Sequence, residues 1–441
     1  MKKKYWGILL VLLMLLMVSQ ASYMERRKQS EEVVVNAEHP ILIWYTDPDI
    51  QSYMENTAAE VAAKYEVEVR TELVSEVDYI ENICEKSVSE QMEGPDVYVA
   101  SSALLEKAAL AGLTTPVTDT GLENTYSEKA VQAAAYDGTV VARPFYIETC
   151  FLLYNRNYVD PSDVPDTIDE ILDYAEAFEG DEVTEKVEHI FEWNVADVID
   201  NYMFMGAYTD LGGPSGDDKS RVSMDIDKIT ECMNYYQNLN GFFAIDADTV
   251  TSQDIIREFT EGKTVFTIVN VPMLAELDRA AADPFYQAAP LPALTEELDT
   301  RGLSVTGTVV VNPYSLNLDA ANACARYLTY ERAGKLYEES GKMTACKSLL
   351  QTEKKEDKGG LIGYQSLYER LLGNRKTDSE ETSDVHRTVY EAYEQAAEVP
   401  KIMELSNIWL QLEVVLADIW RGDDPGEKLS EFSTLLSEQL D

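Results

Sequence analysis

Between residues 41 and 116, short apolar runs alternate with segments of helical period, and this alternation restricts the chain to α/β architectures. The run "ILIWY" at 41–45 has the length of a buried strand. It breaks at Thr46-Asp47-Pro48, where Asp47 can cap a helix and Pro48 can occupy its first position. Ile50, Tyr53, Met54, Thr57 and Val61 then recur at helical spacing. Val67 and Val69 alternate with Glu66, Glu68 and Arg70 as in a half-buried strand, and Tyr79, Ile80, Ile83 and Cys84 share a helical face. Gly94-Pro95 introduces the strand "DVYVA"; Ser101-Ser102 stand where a helix cap belongs, and that helix ends at Gly112 with Pro116 beyond. Repetition of this kind predicts a parallel sheet covered by helices. Ligands of such sheets bind beyond the carboxyl ends of the strands, which makes both polar breaks candidates for the rim of a cleft.

The pattern continues downstream. "GTVVARPFYIETCFLLYN" reads as strand-like runs broken by Pro144 and Glu148. Thr167 and Glu170 hold capping-box positions ahead of a buried stripe of Ile168, Ile171, Leu172, Ala175 and Phe178. Residues 212–218 read as a loop, "GKTVFTIVNVP" as a strand ending in Pro272, and "GTVVVN" at 307–312 as another strand. The last third is largely helical, with Ile408, Leu412, Val415 and Ile419 on one face and Gly422 as terminator; polar stretches at 353–358 and 374–384 read as exposed loops.

Charge and chemistry narrow the function. With 36 basic against 80 acidic residues the formal charge is −44, which repels phosphate backbones and argues against nucleic-acid binding. Five widely spaced cysteines are neither a disulfide framework nor a zinc motif. The histidines, His39, His189 and His386, are isolated in sequence, and no nucleophile elbow, phosphate loop, His-Glu-x-x-His or dinucleotide glycine pattern occurs. No metal, cofactor or catalytic residue is expected, so the chain reads as a binder rather than an enzyme. Lys2–Lys4 precede an apolar stretch from Tyr5 to Val18 and the triplet Ser19-Gln20-Ala21. This arrangement resembles an export signal and is short for a membrane span, which takes about 20 residues. The expectation is export, with cleavage near Ala21 or retention of the segment as an N-terminal anchor.

The ordered motifs resemble the family 1 extracellular solute-binding proteins of ABC importers, particularly the maltose-binding group. "ILIWYTDPD", "GPDVYVASSALLEKAALAGL", "YDGTVVARPFYIETCFLLYNRNYV", "PDTIDEI", "FTEGKTVFTIVNVP", "GTVVVNPYSLNLDAANACARYL" and "GKMTACKSL" follow the family's order. The resemblance implies a type II periplasmic-binding-protein-like α/β fold of two lobes, each a sheet flanked by helices, with a cleft at the hinge. Residues 1–37 would be leader or anchor plus linker. Residues 38–148 with 292–341 would form the N-terminal lobe, and 149–291 with 342–441 the C-terminal lobe. It implies a monomer that takes a sugar or oligosaccharide and delivers it to a membrane ABC permease. The same fold serves sensors coupled to receptor kinases, and an acidic glycoside hydrolase is a third class.

Carried over residue by residue, the resemblance assigns ligand contact to Thr46 and Asp47, to Ser101 and Ser102, and to Tyr146 and Glu148 at the first crossing. Trp193, Asn270 and Trp409 fall on the opposing wall, Trp409 where relatives stack an aromatic on a sugar ring. Helix capping competes for Asp47, Ser101 and Ser102, and core packing competes for both tryptophans. Ala100 and Met273 stand where maltose-binding relatives carry tryptophan, which removes two stacking surfaces.

Overall fold

The computed structural model describes residues 33–36, 38–89, 93–178, 185–280, 285–350 and 378–440. The leader segment and the 353–358 stretch lie outside them. Among the described residues no helix is long and apolar enough to cross a membrane.

Ten strands form one sheet: β1 (Ile41–Tyr45), β2 (Val69–Leu73), β3 (Val97–Ser101), β4 (Arg143–Asn155), β5 (His189–Glu192), β6 (Thr264–Asn270), β7 (Tyr286–Ala289), β8 (Leu303–Val311), β9 (Met343–Thr344) and β10 (Ala397–Glu398). The spatial order is β2-β1-β3-β8-β4-β6-β5, with β7 and β9 on β4 and β10 on β8. The outer pairs β1–β2, β1–β3 and β5–β6 are parallel, as the strand–helix alternation predicts. The centre is not: β3–β8, β8–β4 and β4–β6 run antiparallel. There strands that lie far apart in sequence, with helices between them along the chain, meet side by side, a pairing that local alternation does not reveal.

β4 organises the molecule. Its first half, up to Thr149, pairs with β8; from Cys150 onward it pairs with β6 and, at Leu152–Asn155, with β7. One strand of 13 residues thus belongs to both lobes. Pro144 and Glu148 do not interrupt it. Pro144 lies at the register shift between Gly307 and Thr308 of β8, where a missing N–H disturbs the ladder least.

Hydrophobic clusters flank the sheet, and one of them, joining Ile147 and Ala333 to Phe151 and Leu274, runs across the change of partner on β4. Helix α1 (Gln51–Tyr65) buries Tyr53, Met54, Thr57 and Val61, as its spacing predicts, and helix α2 (Tyr79–Ser87) buries Tyr79, Ile80 and Ile83. The other lobe is built on Trp193, Phe204, Tyr236 and Trp420, with helix α3 (Ser252–Thr260) beside the edge strand and helix α4 (Val271–Ala280) after β6. Pro272 is the second residue of α4 rather than the end of the strand. The 374–384 stretch is also corrected: from Asp378 it belongs to helix α5 (Asp378–Gln395). Helix α6 (Ile408–Trp420) buries Ile408, Leu412 and Ile419, and Gly422 follows at φ +113°, a conformation that glycine tolerates. None of the five cysteines is in a disulfide.

Candidate functional site

The first polar break becomes a charged cluster. Asp47 caps the turn Pro48–Ile50 by accepting from the Asp49 N–H at 2.9 Å, so the capping role is real. Its second oxygen lies 2.9 Å from Lys342 Nζ. Lys342 stands just ahead of β9, is 8% exposed along its side chain, and donates to Glu148 Oε1 at 2.6 Å. Its ammonium also sits 5.3 Å from the Tyr146 ring centroid. Burial opposes the charge on Lys342, but Glu148, Tyr146 and Asp47 together outweigh it and hold the ammonium above the ordinary lysine range. One cation is thus shared by two carboxylates that each remain about a quarter exposed, at 24% and 27%.

Pairing aligns further candidates with this cluster. Ser101 is opposite Gly307, Gly307 opposite Tyr146, and Tyr146 opposite Thr344, which forms one row across four strands. The Tyr146 ring lies over Gly307 so closely that a Cβ there would meet it at 2.3 Å. Glycine is what lets the ring lie flat on the sheet. Ser101 caps the turn after β3 by accepting from Ala103 N–H at 3.3 Å, and Thr46 is the half-buried residue after β1.

Ser102 goes elsewhere. It is fully buried and donates to Glu398 Oε1 at 2.7 Å. Glu398 also accepts from Thr306 N–H at 3.0 Å and Ser304 Oγ at 2.8 Å, so both its oxygens are satisfied by β8 and the turn after β3. Two lysines flank it: Lys129 donates to the carbonyls of Tyr393 and Ala396, and Lys401 to those of Gln132 and Ser215. Burial lowers the pKa of each to about 8, against the attraction of Glu398. Ser102 therefore fastens the turn after β3 to β10, and its buried hydroxyl is committed to Glu398.

On the other wall, Asn270 ends β6 opposite Cys150, two residues along β4 from Glu148. Its Oδ1 accepts from Met273 N–H at 3.2 Å and its Nδ2 donates to Asp200 at 3.4 Å. Trp193 corrects the cleft-wall expectation. It is 0% exposed, stacked on Phe191 at 4.8 Å and met edge-on by Trp420, with its N–H donated to Asn201. A ring enclosed in this way belongs to the core. Trp409 is half-buried, edge-on to Tyr202 at 6.1 Å, and retains an open portion.

Lys342 and Glu398 escaped the sequence reading. Lys342 lies inside the quoted motif "GKMTACKSL", but no local pattern announces that its partners are 295 and 194 positions upstream. Glu398 carries no signal at all. A pocket of about 440 Å³ adjoins the Lys342 cluster, lined by Asp49, α4 residues Ala275, Asp278 and Arg279, and the stretch Tyr337–Gly341. A larger one of about 510 Å³ is lined by Lys129, Arg301 and Glu394 among others; neither pocket is lined by any of the nine predicted contacts. The carboxyl ends of β1 and β3 favour the Lys342 side.

Residues 56–359 match the model of the bacterial extracellular solute-binding protein family. A maltotriose-binding protein of Pyrococcus abyssi is 28% identical over 211 residues, 46% of this chain and 43% of that protein. The maltodextrin-binding protein MdxE of Bacillus subtilis is 22% identical over 385 residues, 82% of this chain and 84% of that protein. Among solved structures, a cyclo/maltodextrin-binding protein with maltotetraose superposes at TM-score 0.70 with 17% identity, covering 91% of this chain and 98% of that one. The Staphylococcus aureus extracellular solute-binding protein with maltose gives 0.69 at 16% identity, covering 91% and 97%. The two-lobed type II periplasmic-binding-protein fold is thereby established. With the family match spanning more than two thirds of its length, the chain belongs to the bacterial extracellular solute-binding proteins.

Proposed function

We propose that this protein captures a carbohydrate between its lobes, outside the cytoplasm, and presents the closed form to the permease of an ABC importer. The observation that carries this reading is the Lys342 cluster. Two part-exposed carboxylates, held apart by one ammonium and floored by the Tyr146 ring, offer acceptors for sugar hydroxyls beside an aromatic surface. Thr46, Asp47, Ser101, Tyr146 and Glu148 supply one wall; Asn270 and Trp409 supply the other. The names of the relatives support an α-glucan sugar, while Ala100 and Met273 favour a ligand held by fewer stacked rings. Binding and closure suffice for this role and need no bond chemistry. The N-terminal segment serves as its leader or tether.

The lobe assignment belongs to the same reading. The change of partner on β4 at Thr149–Cys150 supports the first boundary, and the 290–302 connection to β8 the second. β9 still pairs with Tyr146 and Ile147, which favours a third boundary beyond Thr344 over one at 342.

Calorimetric titration with mono- and oligosaccharides, maltose to maltotetraose included, tests the assignment. One-to-one binding of at least one sugar is expected, and silence across the panel removes the carbohydrate claim. Glu148→Gln should weaken binding of that sugar by roughly 1.5–3 kcal/mol, tenfold to a hundredfold, through loss of a charge-assisted hydrogen bond. Its melting temperature should fall little, because Asp47 still faces Lys342 and the amide oxygen still accepts from it. A large melting shift with unchanged affinity would make Glu148 purely structural.

A further inference from the structure

The second lobe carries a mixed nitrogen–oxygen donor set far from the cleft. His189 and Glu192 come from the edge strand β5 and Glu258 from helix α3; one donor atom of each lies within 4.8 Å of the other two. His189 Nε2 is 3.3 Å from Glu258 Oε2. The other Glu258 oxygen is held by the Arg257 guanidinium at 3.1 Å, which fixes the carboxylate with Oε2 turned toward the imidazole. Glu192 is 8% exposed, and the Thr264 hydroxyl reaches its carboxylate only at 3.5 Å. The three side chains line one pocket of about 360 Å³ with Asp246 and Asp254, so solvent ions have a way in.

We propose that His189, Glu192 and Glu258 form a binding site for a first-row divalent cation, with zinc or manganese as the chemical type. Two carboxylates this close, one of them buried, repel unless a proton or a cation lies between them. An imidazole aimed at the same point distinguishes the set from a solvated acidic patch. It also selects the ion: calcium and magnesium favour all-oxygen shells, whereas imidazole with carboxylate suits zinc, manganese or cobalt. The Glu258–Arg257 contact is the kind of outer partner that orients a ligating carboxylate. Such an ion would pin the edge strand to α3. His189 pairs with Thr264, the start of β6, and Asn270 ends that strand, so the ion would sit about 20 Å from the sugar-facing end at the usual strand rise.

The test is titration of the chelator-stripped full chain with Zn²⁺, Mn²⁺ and Ca²⁺ at high salt, which suppresses diffuse attraction to the acidic surface, read by calorimetry and thermal melting. One equivalent of Zn²⁺ or Mn²⁺ with a raised melting temperature is expected, with Ca²⁺ weaker. His189→Ala and Glu258→Gln should each lose at least about tenfold in metal affinity. Binding of Co²⁺ should give a ligand-field absorption that vanishes in His189→Ala. Sugar affinity should not change with metal, so failure here leaves the capture reading untouched. Absence of saturable binding, or equal binding by wild type and both variants, overturns the site and leaves a shared proton between the carboxylates.

Discussion

Replacing Lys342 by Met is expected to lower stability by about 3 kcal/mol and to abolish measurable sugar binding. Asp47 and Glu148 both rely on this one ammonium, whose side chain is only 8% exposed. Removing the shared cation leaves two carboxylates facing each other across the space it filled, and breaking a buried pair in this way costs about 3–5 kcal/mol. The lower figure applies because the acids are part-exposed and relax toward water. In a chain of this size the melting temperature should drop by several degrees. The cluster also joins the end of β1, strand β4 and the segment before β9, so its loss disturbs the site's geometry as well as its charge. Combining Lys342→Met with Glu148→Gln should recover part of the lost stability, because only one negative charge then remains, but should not restore binding. The sign of the pH dependence follows from the raised folded pKa of Lys342. Its contribution is complete below the unfolded lysine value near 10.4 and is lost only as pH rises beyond it, so the wild-type advantage over Lys342→Met should not fade between pH 6 and 9. A Lys342→Met protein with wild-type melting and affinity would show the cluster to be incidental.

What the sequence made legible was local. Strand β1, the Asp47-Pro48 turn, the stripe of α1, the Thr167–Glu170 capping box and the glycine after α6 each rest on neighbours within a few positions, and each was found where the pattern put it. The antiparallel centre of the sheet was not legible, because β8 meets β3 across about two hundred residues of intervening chain and β4 across about one hundred and fifty, and no short-range period encodes that return. The same holds at the site. Asp47, Tyr146 and Glu148 could be singled out as polar or aromatic residues at strand ends and crossings, yet the lysine that binds them together comes from a distant segment. Trp193 shows the converse error. An aromatic after a strand looks like a cleft residue in one dimension, and only packing on Phe191 and Trp420 reveals that its faces are taken. The metal triad fails for a related reason: a single histidine gives no spacing rule until the edge strand and α3 are side by side.

Glu398→Gln should destabilise the protein by about 3 kcal/mol at pH 7, and the deficit should shrink as pH rises through about 8. The carboxylate is 6% exposed and accepts from Ser102, Ser304 and the Thr306 N–H, while Lys401 is buried and Lys129 half-buried beside it. An amide in its place turns a donor toward groups that are themselves donating, and removes the one negative charge that offsets both cations. The folded pKa of each lysine, about 8, lies below its unfolded value near 10.4. Burying them therefore costs stability in full below about pH 8, and the cost disappears as pH approaches 10.4, because the unfolded chain then binds more protons than the folded one. Without Glu398 the charged lysines are costlier still, so the variant suffers most where they are charged. At pH 9.5, with both neutral in the folded state, the attraction no longer counts and only the hydrogen-bond loss remains. Buried thiols push wild-type stability the other way in this range, since burial raises Cys150, Cys232 and Cys324. They act equally in both proteins, which is why the difference between wild type and variant, followed by urea unfolding from pH 6.5 to 9.5, is the quantity to measure. A deficit that stays constant across that range would detach Glu398 from the lysines and leave it a hydrogen-bond acceptor alone. A deficit that narrows identifies the β10 segment as a charge-locked joint between Ser102 after β3 and the Gly212–Gly216 loop.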